Sequence, residues 1–185
     1  MSYKNNLDQD ETLLSEKLYQ LAYQYEQKHH YCSQCTVAAL QKVLQIDSEH
    51  LFQASYILAG GLVNTCQGTC GALAGGAMII SYLFGRNSRE FYAGTPNKKA
   101  NYLTKKLYDR FVKEYGGCLC KDVHKKIFGR PFDFWVEEDK KIFEKLGGHL
   151  DKCPDVVGHA AQWAYEIIQQ EINKDKENAN KYDYK

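Results

Sequence analysis

Apolar residues recur along this chain at spacings of three and four, and nowhere alternate over a strand-length stretch bounded by hairpin turns. That periodicity calls for helices and leaves little material for a sheet. Leu14, Leu18, Leu21, Ala22 and Tyr25 form one stripe, Val37, Leu40 and Leu44 a second, and Leu51, Ala54, Ile57 and Leu58 a third. Leu103, Leu107, Phe111 and Tyr115 repeat the pattern, and Val157, Ala160, Ala161, Ala164 and Ile168 close it with Trp163 beside them. The fold expected is all-α, a single-domain helical bundle of about six to eight helices over residues 1–172. Residues 86–98 read as the longest loop, and residues 173–185 as a polar tail too poor in aliphatics to hold against fraying.

The stretch Cys70–Phe84 differs from the rest in being apolar on nearly all sides, which marks a helix buried at the centre of the bundle. Its first half is small (Gly71, Ala72, Ala74, Gly75, Gly76, Ala77) and its second half bulky. Each helical glycine costs about 1 kcal/mol relative to alanine, so three of them imply that something needs the space. Close helix packing and close approach of a cofactor are both open at this point.

The 185 residues suffice for one sizeable core, and 44% apolar residues is ordinary for a globular chain. A net charge of +1 with the signs interspersed gives no electrostatic case for nucleic acid or an anionic membrane. Residues 1–11 are polar and acidic, so no secretory signal is expected, and the run Ala72–Phe84 is shorter than the ~20 residues a membrane span needs. The expected setting is cytoplasmic. In a reducing compartment seven cysteines mean metal or catalysis more often than a disulfide frame, and an odd count cannot pair completely.

Those cysteines occur as Cys32-x-x-Cys35, Cys66-x-x-x-Cys70, Cys118-x-Cys120 and a lone Cys153. Their placement says more than their spacing. Cys32 and Cys35 stand where the second stripe begins, Cys70 opens the Gly/Ala-rich helix, and Cys118 and Cys120 follow Gly116-Gly117. Cys153 precedes Pro154 and Asp155, residues favoured in a first helical turn. Four separate helices thus begin with cysteine. Helix N-termini lower thiol pKa values and stabilise anions, so several converging would cage thiolates or an anionic cluster. A bland use as small buried hydrophobes suits any one cysteine better than the whole set, and suits Cys35, Cys66 and Cys118 best. His29 and His30 precede Cys32 and His149 precedes Cys153. His124 lies four residues after Cys120, on one helical face, as an extra candidate ligand.

The chain resembles a family of redox-active proteins named for a C…GCAxxG…C…C signature. The residues that carry the resemblance are Tyr31-Cys32-Ser33-Gln34, Gly68-Thr69-Cys70-Gly71-Ala72-Leu73-Ala74-Gly75-Gly76, Gly116-Gly117-Cys118-Leu119-Cys120-Lys121 and Lys152-Cys153-Pro154-Asp155, within a span from Tyr31 to Ile168. Gly71 stands between Cys70 and Ala72, where the signature places cysteine directly before alanine. The resemblance implies redox activity, a possible oxidoreductase, with Cys32, Cys70, Cys120 and Cys153 as the functional set and Cys35, Cys66 and Cys118 as secondary candidates.

Three chemistries remain open on the residues alone. Four thiolates are the usual complement of an iron–sulfur cluster for electron transfer or cluster-based chemistry. A cofactor-free thiol/disulfide couple, with Cys32 and Cys35 as the pair, is the second, and a zinc site the third. The partner would be a redox protein or a small-molecule substrate, and a homodimer is compatible with the sequence. There is no P-loop, no G-x-G-x-x-G, no G-x-S-x-G and no C-x-x-C-H. Asp133, Glu137, Glu138 and Asp139 read as a solvated acidic face, and Phe132, Phe134 and Trp135 as core or as a partner seat.

Overall fold

The computed structural model describes residues 2–182, with side chains described over 11–179, and over these the protein is all-α. In order come α1 (Ser2–His29), α2 (Cys32–Leu44), α3 (Glu49–Ser55), α4 (Gly71–Phe84), α5 (Ser88–Tyr92), α6 (Lys98–Tyr115), α7 (Cys120–Phe128), α8 (Glu137–Lys145) and α9 (Cys153–Tyr182). The sole β pairing among the described residues is an isolated antiparallel bridge between Thr69 and Leu119. Two short helices account for most of the difference from the expected organisation. α5 forms inside the expected loop, held by a capping box between Asn87 and Glu90, and α8 carries the expected acidic face in its first turn. No helix is long and apolar enough to cross a membrane among the described residues.

α4 is the axis. It packs on α2, α6 and α9, while α1 lies along α9 and α2. Its small residues set these distances. A Cβ on Gly75 would fall 2.7 Å from the Ser33 carbonyl oxygen, and one on Gly76 would fall 2.8 Å from Leu107. Gly71 is different, because the nearest atom there would be the Cys32 thiol at 2.5 Å. Helix packing, one of the two uses foreseen for the small half of the helix, is present at Gly75 and Gly76, while the space at Gly71 is taken by the Cys32 thiol. Beyond Ile80 the helix emerges, with Tyr82 and Leu83 exposed.

The stripes of α2, α6 and α9 are buried as read, with Val37, Leu40, Leu103, Leu107, Phe111, Ala160, Ala161, Ala164 and Ile168 in the core. Two stripes shift. On α1 the buried face runs Ser15, Leu18, Ala22 and Glu26, whereas Leu14 is exposed. The third stripe breaks because α3 stops at Ser55, whose hydroxyl donates to the Phe52 carbonyl. A 3₁₀ turn then leaves Tyr56 and Ile57 exposed. At the far end α9 runs on to Tyr182, through most of the stretch expected to fray.

Asn97 joins two of the core helices. Its side-chain oxygen accepts from the Ala100 amide at 3.0 Å, capping α6, while its nitrogen donates to the Phe84 carbonyl at the end of α4, 2.7 Å away. Asn97→Ala removes a cap and an interhelix bond together. The expected loss is about 1–2 kcal/mol, a fall in Tm of roughly 2–8 °C by circular dichroism.

Candidate functional site

The N-terminal ends of α2, α4, α7 and α9 meet at one end of the bundle, and each of these helices has a cysteine at its start. Cys32 is the first residue of α2, Cys70 caps α4, Cys120 opens α7 and Cys153 opens α9. All four line one internal chamber of about 50 Å³, together with Glu26, His124 and His149. That space holds roughly three to five water-sized probes. All seven cysteines are free thiols.

Two loops bring the ends together. Around the Thr69–Leu119 bridge the Cys70 amide donates to the Cys118 carbonyl at 2.8 Å and the Cys120 amide to the Gly68 carbonyl at 2.9 Å. The Lys121 amide donates to the Cys66 carbonyl, so α7 spends its first amides on the neighbouring loop. α9 likewise does not present a free end. It continues from a π-helical turn, Gly148–Lys152, and the Cys153 amide donates to the Gly148 carbonyl. The cage of four free helix ends anticipated from sequence thus reduces to two, α2 and α4. π-turns of this kind are frequent at functional sites.

The other wall is a left-handed turn. Gly60, Gly61, Leu62, Val63 and Asn64 all have positive φ, at 57, 68, 69, 46 and 57°. A left-handed residue costs about 1–2 kcal/mol when it carries a Cβ, and a β-branched one such as Val63 suffers most. Such strain persists only where the surroundings over-determine it. Here the Cys66 amide donates to the Gly60 carbonyl at 2.8 Å, the Asn64 amide to the Ala59 carbonyl at 3.1 Å, and the Trp135 indole N–H to the Val63 carbonyl at 2.8 Å. Gly61 is required, since its Cβ would lie 2.8 Å from both the Cys120 Cβ and the Gly68 oxygen. The turn seats the Gly60 amide against the Cys32 thiol and holds Cys66 beside Cys120.

The thiols fall into groups. Cys32 and Cys70 are hydrogen-bonding neighbours, and that bond together with burial holds Cys32 well above the ordinary thiol range. Burial does the same to Cys153, and the neighbouring Cys66 thiol does so to Cys120. Cys66 is the exception: its bond from Cys120, helped by His124, lowers it to about 6. Cys66, Cys120 and His124 place their donor atoms within 4.8 Å of one another, with Cys66 Sγ 3.8 Å from His124 Nδ1 and Cys120 Sγ 3.6 Å from its Nε2. The imidazole is held by Phe128, Phe132, Phe134 and Phe143, whose ring centroids lie 5.5–5.6 Å from its own.

Cys66, a secondary candidate from the sequence, therefore stands beside Cys120 and His124, which line the chamber. Cys35 and Cys118 do not line the chamber. The Cys35 thiol donates to the His30 carbonyl at 2.7 Å, so it does not face Cys32 as a C-x-x-C partner would, and Cys118 pairs with Tyr108 at the surface. Phe132 is core, Phe134 covers the chamber, and Trp135 is 71% exposed.

The residue that sequence reasoning missed is Glu26. It is 2% exposed, lines the chamber, and leaves Oε2 with no hydrogen-bond partner. Burial pushes its carboxyl up to about 7, opposed by the neighbouring Cys35 thiol. The signal was present: Glu26 follows Ala22 by four and Leu18 by eight, an acid on the core face of α1. Outside the chamber lies a groove of about 430 Å³ that shares Tyr31, Asn64, Phe134, Phe143 and His149 with it. There His149 stacks against His30 with centroids 3.9 Å apart and meets Glu144 at 2.5 Å, while burial holds its pKa below the ordinary value.

A family model described as "Putative redox-active protein (C_GCAxxG_C_C)" matches residues 30–167. No curated protein and no solved structure matches the chain.

Proposed function

From the chain's membership of the C_GCAxxG_C_C redox-active family, to which it belongs by a match over residues 30–167, we propose that it is a redox protein whose chamber holds an iron–sulfur cluster. The observation that carries this reading is the convergence of Cys32, Cys70, Cys120 and Cys153 on one chamber from four different helices. The donor chemistry fits. Thiolates are the ligands that iron–sulfur clusters take, and these thiols are unpaired by disulfides, with Cys70 and Cys120 buried and Cys32 and Cys153 half-buried. Three of the four sit well above the ordinary thiol range in the metal-free chain, so loading releases protons and binding strengthens as pH rises. A bound cluster supplies one-electron storage. The protein contributes the ligands, the dry walls and the amide of Gly60 aimed at Cys32. The adjoining groove offers an approach for a redox partner or a small molecule.

A second reading has its own observation. Among the described residues, Cys66, Cys120 and His124 are the group with the donor types and closeness of three zinc ligands. One preparation separates the readings. Purified without air and analysed for iron, sulfide and zinc, the protein is expected to be brown, with broad absorption near ~400 nm and iron and sulfide in similar amounts. A colourless protein with about one zinc per chain would overturn the cluster reading in favour of the mixed Cys/His site.

A further inference from the structure

Glu26 is a buried oxygen donor of the chamber that the cysteine pattern does not account for. It comes from α1, outside the four helices that supply the thiols, and it is 2% exposed. Oε2 has no hydrogen-bond partner, and among the described residues no Lys, Arg or His pairs with the carboxylate. The Cys35 thiol lies against the carboxyl, but a buried carboxylate without a cation is costly. Ser15, the other buried polar residue on this face of α1, shows what a satisfied one looks like, with its hydroxyl 2.9 Å from Glu166. Glu26 lines the thiol-lined chamber, where a cation would give Oε2 a partner.

We propose that the Glu26 carboxylate is an oxygen ligand to one iron position of the cofactor held in this chamber, making the donor set mixed rather than all-thiolate. This rests on the cluster reading. Iron accepts carboxylate as well as thiolate, and the chamber already mixes donor types, with His124 beside Cys66 and Cys120. The carboxylate would satisfy Oε2 and give the buried charge its counter-ion at once. A proton on Glu26 is the competing occupant, and it predicts no effect on the metal.

The test compares the wild-type chain and Glu26→Gln, both loaded with ⁵⁷Fe and sulfide without air. Gln keeps the shape of the side chain but is a poor ligand. Circular dichroism checks that the variant keeps its helices. The wild type should show a Mössbauer component with the higher isomer shift of oxygen-ligated iron, absent from Glu26→Gln, while the variant retains its sulfide and charge-transfer absorption. Superimposable spectra from two brown proteins would overturn the proposal and leave the cluster reading standing. A wild-type chain that takes up neither iron nor sulfide would bring down both, and the lack of colour tells the two failures apart.

Discussion

Cys70→Ala and Cys153→Ala should each yield a folded protein that has lost its cofactor, with iron and sulfide per chain reduced roughly tenfold or more. The two positions test the site from different helices. Cys70 caps α4 within hydrogen-bonding reach of Cys32, and Cys153 stands at the junction of the π-turn and α9. Alanine removes a single sulfur and keeps the backbone geometry, so far-ultraviolet circular dichroism should not change. Cys35→Ala and Cys118→Ala, whose thiols lie outside the chamber, should retain full iron and serve as controls. Full iron in Cys153→Ala would remove that residue from the ligand set. Full iron in both variants would remove the chamber as the binding site.

The second large effect belongs to the metal-free chain and runs through Glu26. Its carboxyl has an ordinary pKa of 4.5 and is pushed up to about 7 by burial. Between these values the native state holds a proton that the unfolded chain has released, so folding stability falls as pH rises through that window. Below 4.5 both states are protonated and nothing is lost. Above 7 the loss is complete, roughly 3 kcal/mol from a shift of this size. Glu26→Gln is neutral at every pH. Without metal it should therefore be the more stable protein at pH 8 by up to about 3 kcal/mol, and indistinguishable from wild type near pH 4.5. Urea unfolding of the metal-free proteins at the two pH values reads this directly. Equal stability at pH 8 would mean that Glu26 finds a partner or water in the native state.

Most of the fold could be read from periodicity, because each long helix buries one apolar stripe and spacing is all that a stripe requires. The reading failed where a polar residue took a core position or the backbone left the right-handed region. On α1 the acid at position 26 and the serine at 15 occupy the buried face, so a stripe built from apolar letters alone landed beside the true one. The helix expected over 51–58 ends at a serine that bonds its own backbone, a signal that apolar spacing does not weigh. The four cysteines at helix starts were legible because N-cap and first-turn chemistry is local. Which amides remain free was not, since those of Cys120 and Lys121 are taken by a loop some 50 residues away in sequence. The place of Cys66 depends on a left-handed turn through Leu62 and Val63, residues whose identities argue against that conformation, and that of Cys35 on the His30 carbonyl that takes its thiol.

The chamber draws its walls from Glu26 at one extreme and Cys153 at the other. No stretch of chain shorter than that interval contains the site, and it needs the first and last helices, α1 and α9, to be packed together. In a helical bundle, local turns form early and long loops close late. The four thiols thus become neighbours only when α7 and α9 have joined α2 and α4, and Glu26 joins them when α1 docks, which makes a bound cofactor a reporter of the last step of folding. A chain cut anywhere between α2 and α9 would keep helices and cysteines yet have no place to gather them.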